Sequence, residues 1–223
     1  MKIKLPKMFA KKGFVVRVKP KGAAPKQDVL PPEPEEEIDY SKLTTPALID
    51  SLGHADPYMR TVAAEVLGRL REKQSVQPLI RTLKDHSKLV REKTAIALGH
   101  IGDRSSVQPL IESLNDESEE VRVTVAGVLG HLRDRAAVPA LIASLSDTSP
   151  QTRMKAAISL GLIGDPQAIK PLYDALSDDN ELVRKYACEA LGSLGRAAVP
   201  ALLKALKNDR ARSYAAHALM RVK

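Results

Sequence analysis

The chain has 223 residues of which 43% are apolar, enough for a sizeable core, yet aromatic residues reach only 3% and Trp is absent. No apolar run approaches the ~18 residues of a membrane span, and the N-terminus lacks the roughly 7–15-residue apolar stretch of a secretory signal, so the sequence reads as cytoplasmic. The single cysteine, Cys188, excludes an internal disulfide and a paired-cysteine metal knuckle, and the net charge of +8 raises the question of where that charge sits.

It sits mainly at the start. Residues 1–27 carry nine Lys/Arg and no acid, and they hold both phenylalanines of the chain, Phe9 and Phe14. This basic N-terminal arm reads as a partner-seeking segment. "GFVVRV" could add as a strand to another protein's sheet, or Phe9 and Phe14 could anchor in a pocket beside Lys11, Lys12 and Arg17. The same Lys-rich context suits RNA or another anionic surface, while Pro6, Gly13 and Pro20 argue against one long amphipathic helix. A flexible, solubilising tail is the plainer alternative. Residues 28–42 follow with six acids against Lys42, and their Pro and Glu content predicts a stiff, extended linker.

From about residue 43 the chain repeats itself. Arginines stand at 60, 91, 122, 153 and 184, an interval of 31. Seven residues after each comes Leu (Leu67, Leu98, Leu129, Leu160, Leu191), then Gly (Gly68, Gly99, Gly130, Gly161, Gly192), after which the unit restarts. A Val/Ile and Pro entry, as in Val76-Gln77-Pro78, opens the next helix, because Pro is tolerated in a first turn. Asp85, Asp116, Asp147 and Asp178 close that helix six residues before the next Arg. Each unit is therefore helix A, turn, helix B, turn, in six repeats over about 43–73, 74–104, 105–135, 136–166, 167–196 and 197–223. The first carries His54 where later units carry Asp, and the last is shortened around Arg212; both read as caps.

This pattern, five copies of Arg with Leu-Gly seven and eight residues on, resembles the HEAT-like repeats of phycobilin lyase subunits and of bacterial and archaeal scaffold proteins. The resemblance covers residues 43–223. It implies an all-α, right-handed α-solenoid with helices A convex and helices B concave, and it implies that Arg60, Arg91, Arg122, Arg153 and Arg184 form a structural ladder with Asp85, Asp116, Asp147 and Asp178 in the A-to-B turns. The competing reading of the arginine column is a row of cations for phosphates, one per repeat.

Counting from each Arg, positions +3, +4 and +7 are small or apolar throughout and form the buried stripe, which makes Cys188 a small core residue. Positions −2, +1, +2, +5 and +9 vary and share the opposite side of helix B. They supply an apolar centre with charged edges, as a protein-binding surface does: Leu89, Ile96, His100, Val123, His131, Met154, Ile158, Leu162, Leu182, Tyr186 and Tyr214.

Catalytic chemistry finds little footing. The His-Glu dyads of the di-iron hydroxylases in this repeat class have no counterpart, the groove mixes acids with bases and lacks the Trp expected of a base-excising enzyme, and His100 and His131 lack a third metal ligand. No cofactor is expected. The sequence therefore reads as a non-catalytic interaction scaffold, an assembly factor or complex subunit, holding a protein partner on the concave helix-B face with the arm as second contact. RNA or an anionic surface bound through the arm is one alternative; a phycobilin lyase-like subunit acting on a tetrapyrrole is another.

Overall fold

The computed structural model describes residues 44–222. The expectations for the arm (Phe9, Phe14, Lys11, Lys12, Arg17) and for the acidic linker lie outside the described residues. Within them the chain forms α-helices and 3-10 turns only. Helices A are short: α1 (Thr45–Ser51), α3 (Val76–Thr82), α5 (Val107–Glu112), α7 (Val138–Ser144), α9 (Ile169–Asp174) and α11 (Val199–Ala205). Helices B are longer: α2 (Pro57–Leu70), α4 (Lys88–Ile101), α6 (Glu119–Leu132), α8 (Pro150–Ile163), α10 (Glu181–Ser193) and α12 (Arg212–Arg221). Together they make an α-solenoid.

The core runs along the stack as one continuous stripe. Leu67, Leu98, Leu129, Leu160 and Leu191 of the B helices meet Leu79, Leu110, Leu141, Leu172 and Leu202 of the A helices, and all ten are fully buried. Cys188 lies in the same stripe, where burial, with Glu189 adding to it, pushes its thiol up to about 12. A neutral, enclosed thiol is a packing group rather than a nucleophile.

The glycine column lies within helix B, as the placing of position +9 on that helix requires. Gly68, Gly99, Gly130 and Gly161 lie inside their helices, which run on to residues 70, 101, 132 and 163. Each glycine faces a small side chain at position +6 of the next B helix. A Cβ on Gly68 would stand 2.5 Å from the Ala97 Cα, one on Gly99 2.8 Å from Val128, and one on Gly161 2.9 Å from the Ala190 Cα. Removing one Cβ per repeat lets consecutive B helices pack backbone against side chain along their length, at the cost of some helix propensity. Adjacent A helices touch only lightly.

The B helices end three residues after the glycine column, in the left-handed conformation. Gly102, Gly164 and Gly195 hold it with φ between 70° and 76°, but at the same step the first and third repeats place Arg71 (φ 54°) and Arg133 (φ 53°). A non-glycine residue there costs about 1–2 kcal/mol.

The A-to-B turns are tied by the arginine column. Arg60 Nη1 donates to the carbonyls of His54 and Ala55 in its own turn (2.8 and 2.9 Å), while Nε and Nη2 grip both oxygens of Asp85 in the next turn (2.6 and 2.8 Å). The rung recurs from Arg91 to Asp116, Arg122 to Asp147 and Arg153 to Asp178, with Nε–Oδ2 distances of 2.7, 2.8 and 2.7 Å. Each Asp also accepts a backbone N–H two residues on, from Ser87, Ser118, Ser149 and Asn180, each at 2.8 Å. Side-on, bidentate pairs of this kind are the stronger class of ion pair, and here the arginines also satisfy turn carbonyls. Burial works against ionisation of Asp85, Asp147 and Asp178, but the arginine and the backbone N–H outweigh it and hold all three below the ordinary carboxylate value.

The two ends of the ladder are finished differently. Among the described residues no earlier arginine reaches the first turn, and there His54 Nδ1 accepts the Asp56 N–H (3.0 Å), doing the local half of the aspartate's work without a buried charge. At the other end Asn208 makes the same local turn, accepting the Arg210 N–H at 3.0 Å, but it brings no carboxylate. Arg184 keeps its two carbonyl contacts to Asp178 and Asp179 (2.8 and 2.9 Å), and its buried Nε is left without an acceptor among the described residues. Arg184 thus lacks the carboxylate rung of the other four, because the shortened last repeat puts an amide where they put Asp.

Two outcomes test this architecture. Gly161→Ala should destabilise the solenoid by about 1–3 kcal/mol in denaturant titration, since the Ala190 backbone cannot withdraw from a new methyl group. Asn208→Asp should stabilise it by about 1 kcal/mol at pH 7 by supplying the acceptor that Arg184 lacks. A paired carboxylate has a lowered folded-state pKa, so this gain is present above the unfolded value of about 4 and disappears as pH falls through the folded one; melts at pH 7 and pH 3 read both.

Candidate interaction face

The variable columns of helices B are not equally exposed. Position −2 stands at the exposed N-terminal ends of the helices, where Tyr58, Leu89 and Leu182 are 67%, 47% and 50% exposed. Positions +2, +5 and +9 run down the middle. Ile96, Ile158 and Leu162 are half-buried there, Tyr186 and Tyr214 likewise, and His100 and His131 are exposed at the C-terminal ends. At position +1 Thr61 is buried and bonds the Pro57 carbonyl (2.8 Å), while Val123 and Met154 are half-buried like Ile96 and Ile158.

Gly127 takes the +5 place between Ile96 and Ile158. A Cβ there would meet the Lys155 Cδ at 3.3 Å, so the missing side chain leaves room for the aliphatic stem of that lysine to cross from the next helix. Stem and isoleucines form a shallow apolar middle with an ammonium group at its border.

Polar contacts rim the face at its N-terminal ends. Lys88 Nζ donates to Glu120 across the seam between α4 and α6 (2.7 Å), Ser149 Oγ donates to Glu119 (2.6 Å), and the Tyr214 hydroxyl donates to Glu181. With the Lys88 ammonium as the leading cause, Glu120 is drawn down to about 2. Glu117 and Asp179 also stand on this rim, paired with Arg91 and Arg210.

The last seam is looser. A Cβ on Gly192 would stand 3.3 Å from Ala218, and between α10 and α12 the face opens into a recess of about 440 Å³ lined by Lys185, Glu189, Ser193, Tyr214, His217 and Arg221 among others. Of these, the sequence pattern had singled out Tyr214; the rest stood in the variable columns, and their convergence depends on how far the shortened last repeat settles against the fifth. Among the described residues no three His, Cys, Asp or Glu side chains gather to hold a metal ion, and no helix is long and apolar enough to cross a membrane.

Paired antiparallel helices at a fixed period, stacked on a continuous leucine stripe, define a helical-repeat solenoid. The family model for HEAT repeats matches residues 45–122, 107–182 and 169–223, and the chain belongs to this family. No curated protein sequence matches it. Among solved structures it is similar to the complex of CpcE and CpcF of phycocyanin lyase from Nostoc sp. PCC7120, at 28% identity and TM-score 0.62, over 87% of this chain and 81% of that one. An engineered protein shares 21% identity over 79% of this chain and 95% of its own, with TM-score 0.59. A designed armadillo repeat protein in complex with the peptide (KR)4 shares 22% over 80% and 99%, with TM-score 0.54. The last two likenesses concern the fold alone.

Proposed function

We propose that this protein is a non-catalytic scaffold that binds a protein partner along the inner face of helices B. The observation that carries the reading is the row of apolar side chains the repeat fold has no use for: Leu89 and Leu182 at about half exposure, and Ile96, Ile158 and Leu162 only half-buried, in variable columns beside a fully buried leucine stripe. An apolar middle with a polar rim is the usual anatomy of a protein-binding surface. His100, His131, Val123, Met154, Tyr186 and Tyr214 border that middle and complete the candidate contact set. The arm, through Phe9, Phe14, Lys11, Lys12 and Arg17, would supply a second contact and raise avidity through effective concentration. A place as assembly factor or subunit of a larger complex fits two modest contacts better than one tight one.

A second reading rests on the likeness to the phycocyanin lyase complex, which extends over most of both chains. Under it the same inner face would receive a tetrapyrrole, with the recess at the last seam as its mouth.

One set of variants separates the two. Leu89→Glu, Leu182→Glu and Ile158→Asp should each lower capture of a partner from native cytosol about tenfold or more while leaving the thermal melt within a few degrees, since the first two sites are half exposed. Unchanged capture by all three would overturn the scaffold reading. A new visible absorption band on adding a bilin to the purified protein would establish the second reading in its place.

A further inference from the structure

We infer that the edge formed by the B-to-A turns of the first three repeats, carrying Arg71, Lys73, Arg104, Arg133 and Arg135, docks the phosphate backbone of a nucleic acid duplex. This surface is distinct from the inner face and from the arm.

The five cations stand at two steps of successive turns, Arg71 and Arg133 at the first and Lys73, Arg104 and Arg135 two residues on; all are exposed. Among the described residues only Arg135 has a carboxylate within salt-bridge distance, Asp165 at 3.6 Å, and it remains 77% exposed. The acids of these turns are already engaged or half-buried: Asp103 and Asp134 accept the backbone N–H groups of Ser105 and Ala136 (each 2.9 Å), which start the following 3-10 turns, and Glu72 is half-buried. The cations outnumber these acids, so the edge carries net positive charge toward a ligand.

A second, independent observation is backbone strain. Arg71 and Arg133 occupy the left-handed position that the second, fourth and fifth repeats give to glycine. Nothing in the packing requires a side chain there: both are exposed, and neither has an ion-pair partner among the described residues. A chain that accepts this strain twice, each time for an arginine on the same edge, retains the guanidinium for something outside itself.

The chemistry of the edge selects the ligand. The exposed residues of these turns also include Gln74, Gly102, Ser105 and Ala136, with His100 and His131 just before them and no large apolar side chain to enter a bilayer or anchor a peptide. What is left is a rigid row of charge, advancing roughly 10 Å per repeat. It suits a stiff polyanion contacted through its backbone, without sequence preference.

The test uses the full chain and a fluorescein-labelled duplex of about 20 base pairs, DNA and RNA in turn, followed by anisotropy across a salt series. Arg71→Gly/Arg133→Gly installs the residue the other turns already use, so the double variant should melt at or above the parent temperature and loss of binding cannot be blamed on unfolding. Its affinity should fall about tenfold or more in 0.1 M salt, with the slope of log K against log salt shallower by about 1.8, the value for two lost phosphate contacts. Lys204→Gln/Lys207→Gln removes two exposed cations elsewhere, leaves the arm intact, and should stay within about twofold of the parent. The inference is overturned if the parent binds no duplex, if the two double variants weaken binding alike, or if polyglutamate at matched charge competes as well as unlabelled duplex, which would assign the edge to an acidic protein.

Discussion

Everything in this molecule depends on how closely consecutive B helices approach one another. The glycine column and the small residues that face it, Ala97, Val128, Ser159, Ala190 and Ala218, set that distance. It draws the B layer tighter than the A layer and leaves a narrow strip of each B helix open. Without the missing Cβ atoms the same leucine stripe could still be buried by helices set farther apart, and the open face of helices B would be a row of grooves rather than a nearly continuous surface.

The arginine rungs act on a different part of the problem. They fix the A-to-B turns, which are rich in polar backbone groups that no helix satisfies. Arg91 shows how much one side chain carries: it bonds two turn carbonyls and two acids while its own residue is buried. Buried ion pairs are often no better than apolar packing for stability, but in a turn the alternative is unsatisfied carbonyls. The periodic arginine is thus a structural device, and the cations free to meet a ligand are the irregular ones at the other edge.

Much of this was legible in the sequence because a repeat writes each structural requirement several times. The 31-residue interval, the buried +3, +4 and +7 stripe and the solenoid class were all readable, and the family model and the fold agree with them. What the sequence left open is set between helices. Glycine serves both as a C-cap and as a point of close approach, and only the neighbouring helix shows that Gly68 and its counterparts do the second. Asp209 keeps from Arg184 the interval that separates Arg60 from Asp85, yet Asn208 takes the turn position, which only the packing of the shortened last repeat decides. The left-handed arginines had a visible signal, an Arg in a column otherwise held by glycine, but it was three residues past the column that drew attention.

The ladder also has a direction. Each rung couples a turn to the one after it, so disruption of one repeat is felt by its neighbour, and the series is closed by His54 at one end and left open by Asn208 at the other. Local opening in such an array starts where the coupling is weakest. Here that is the last repeat, whose helix α12 sits on the loosest seam and whose turn is not clasped by the arginine before it. The array therefore frays from one end: amide protection rises from the sixth repeat toward the middle, and the recess between α10 and α12 breathes on a shorter timescale than the face it adjoins.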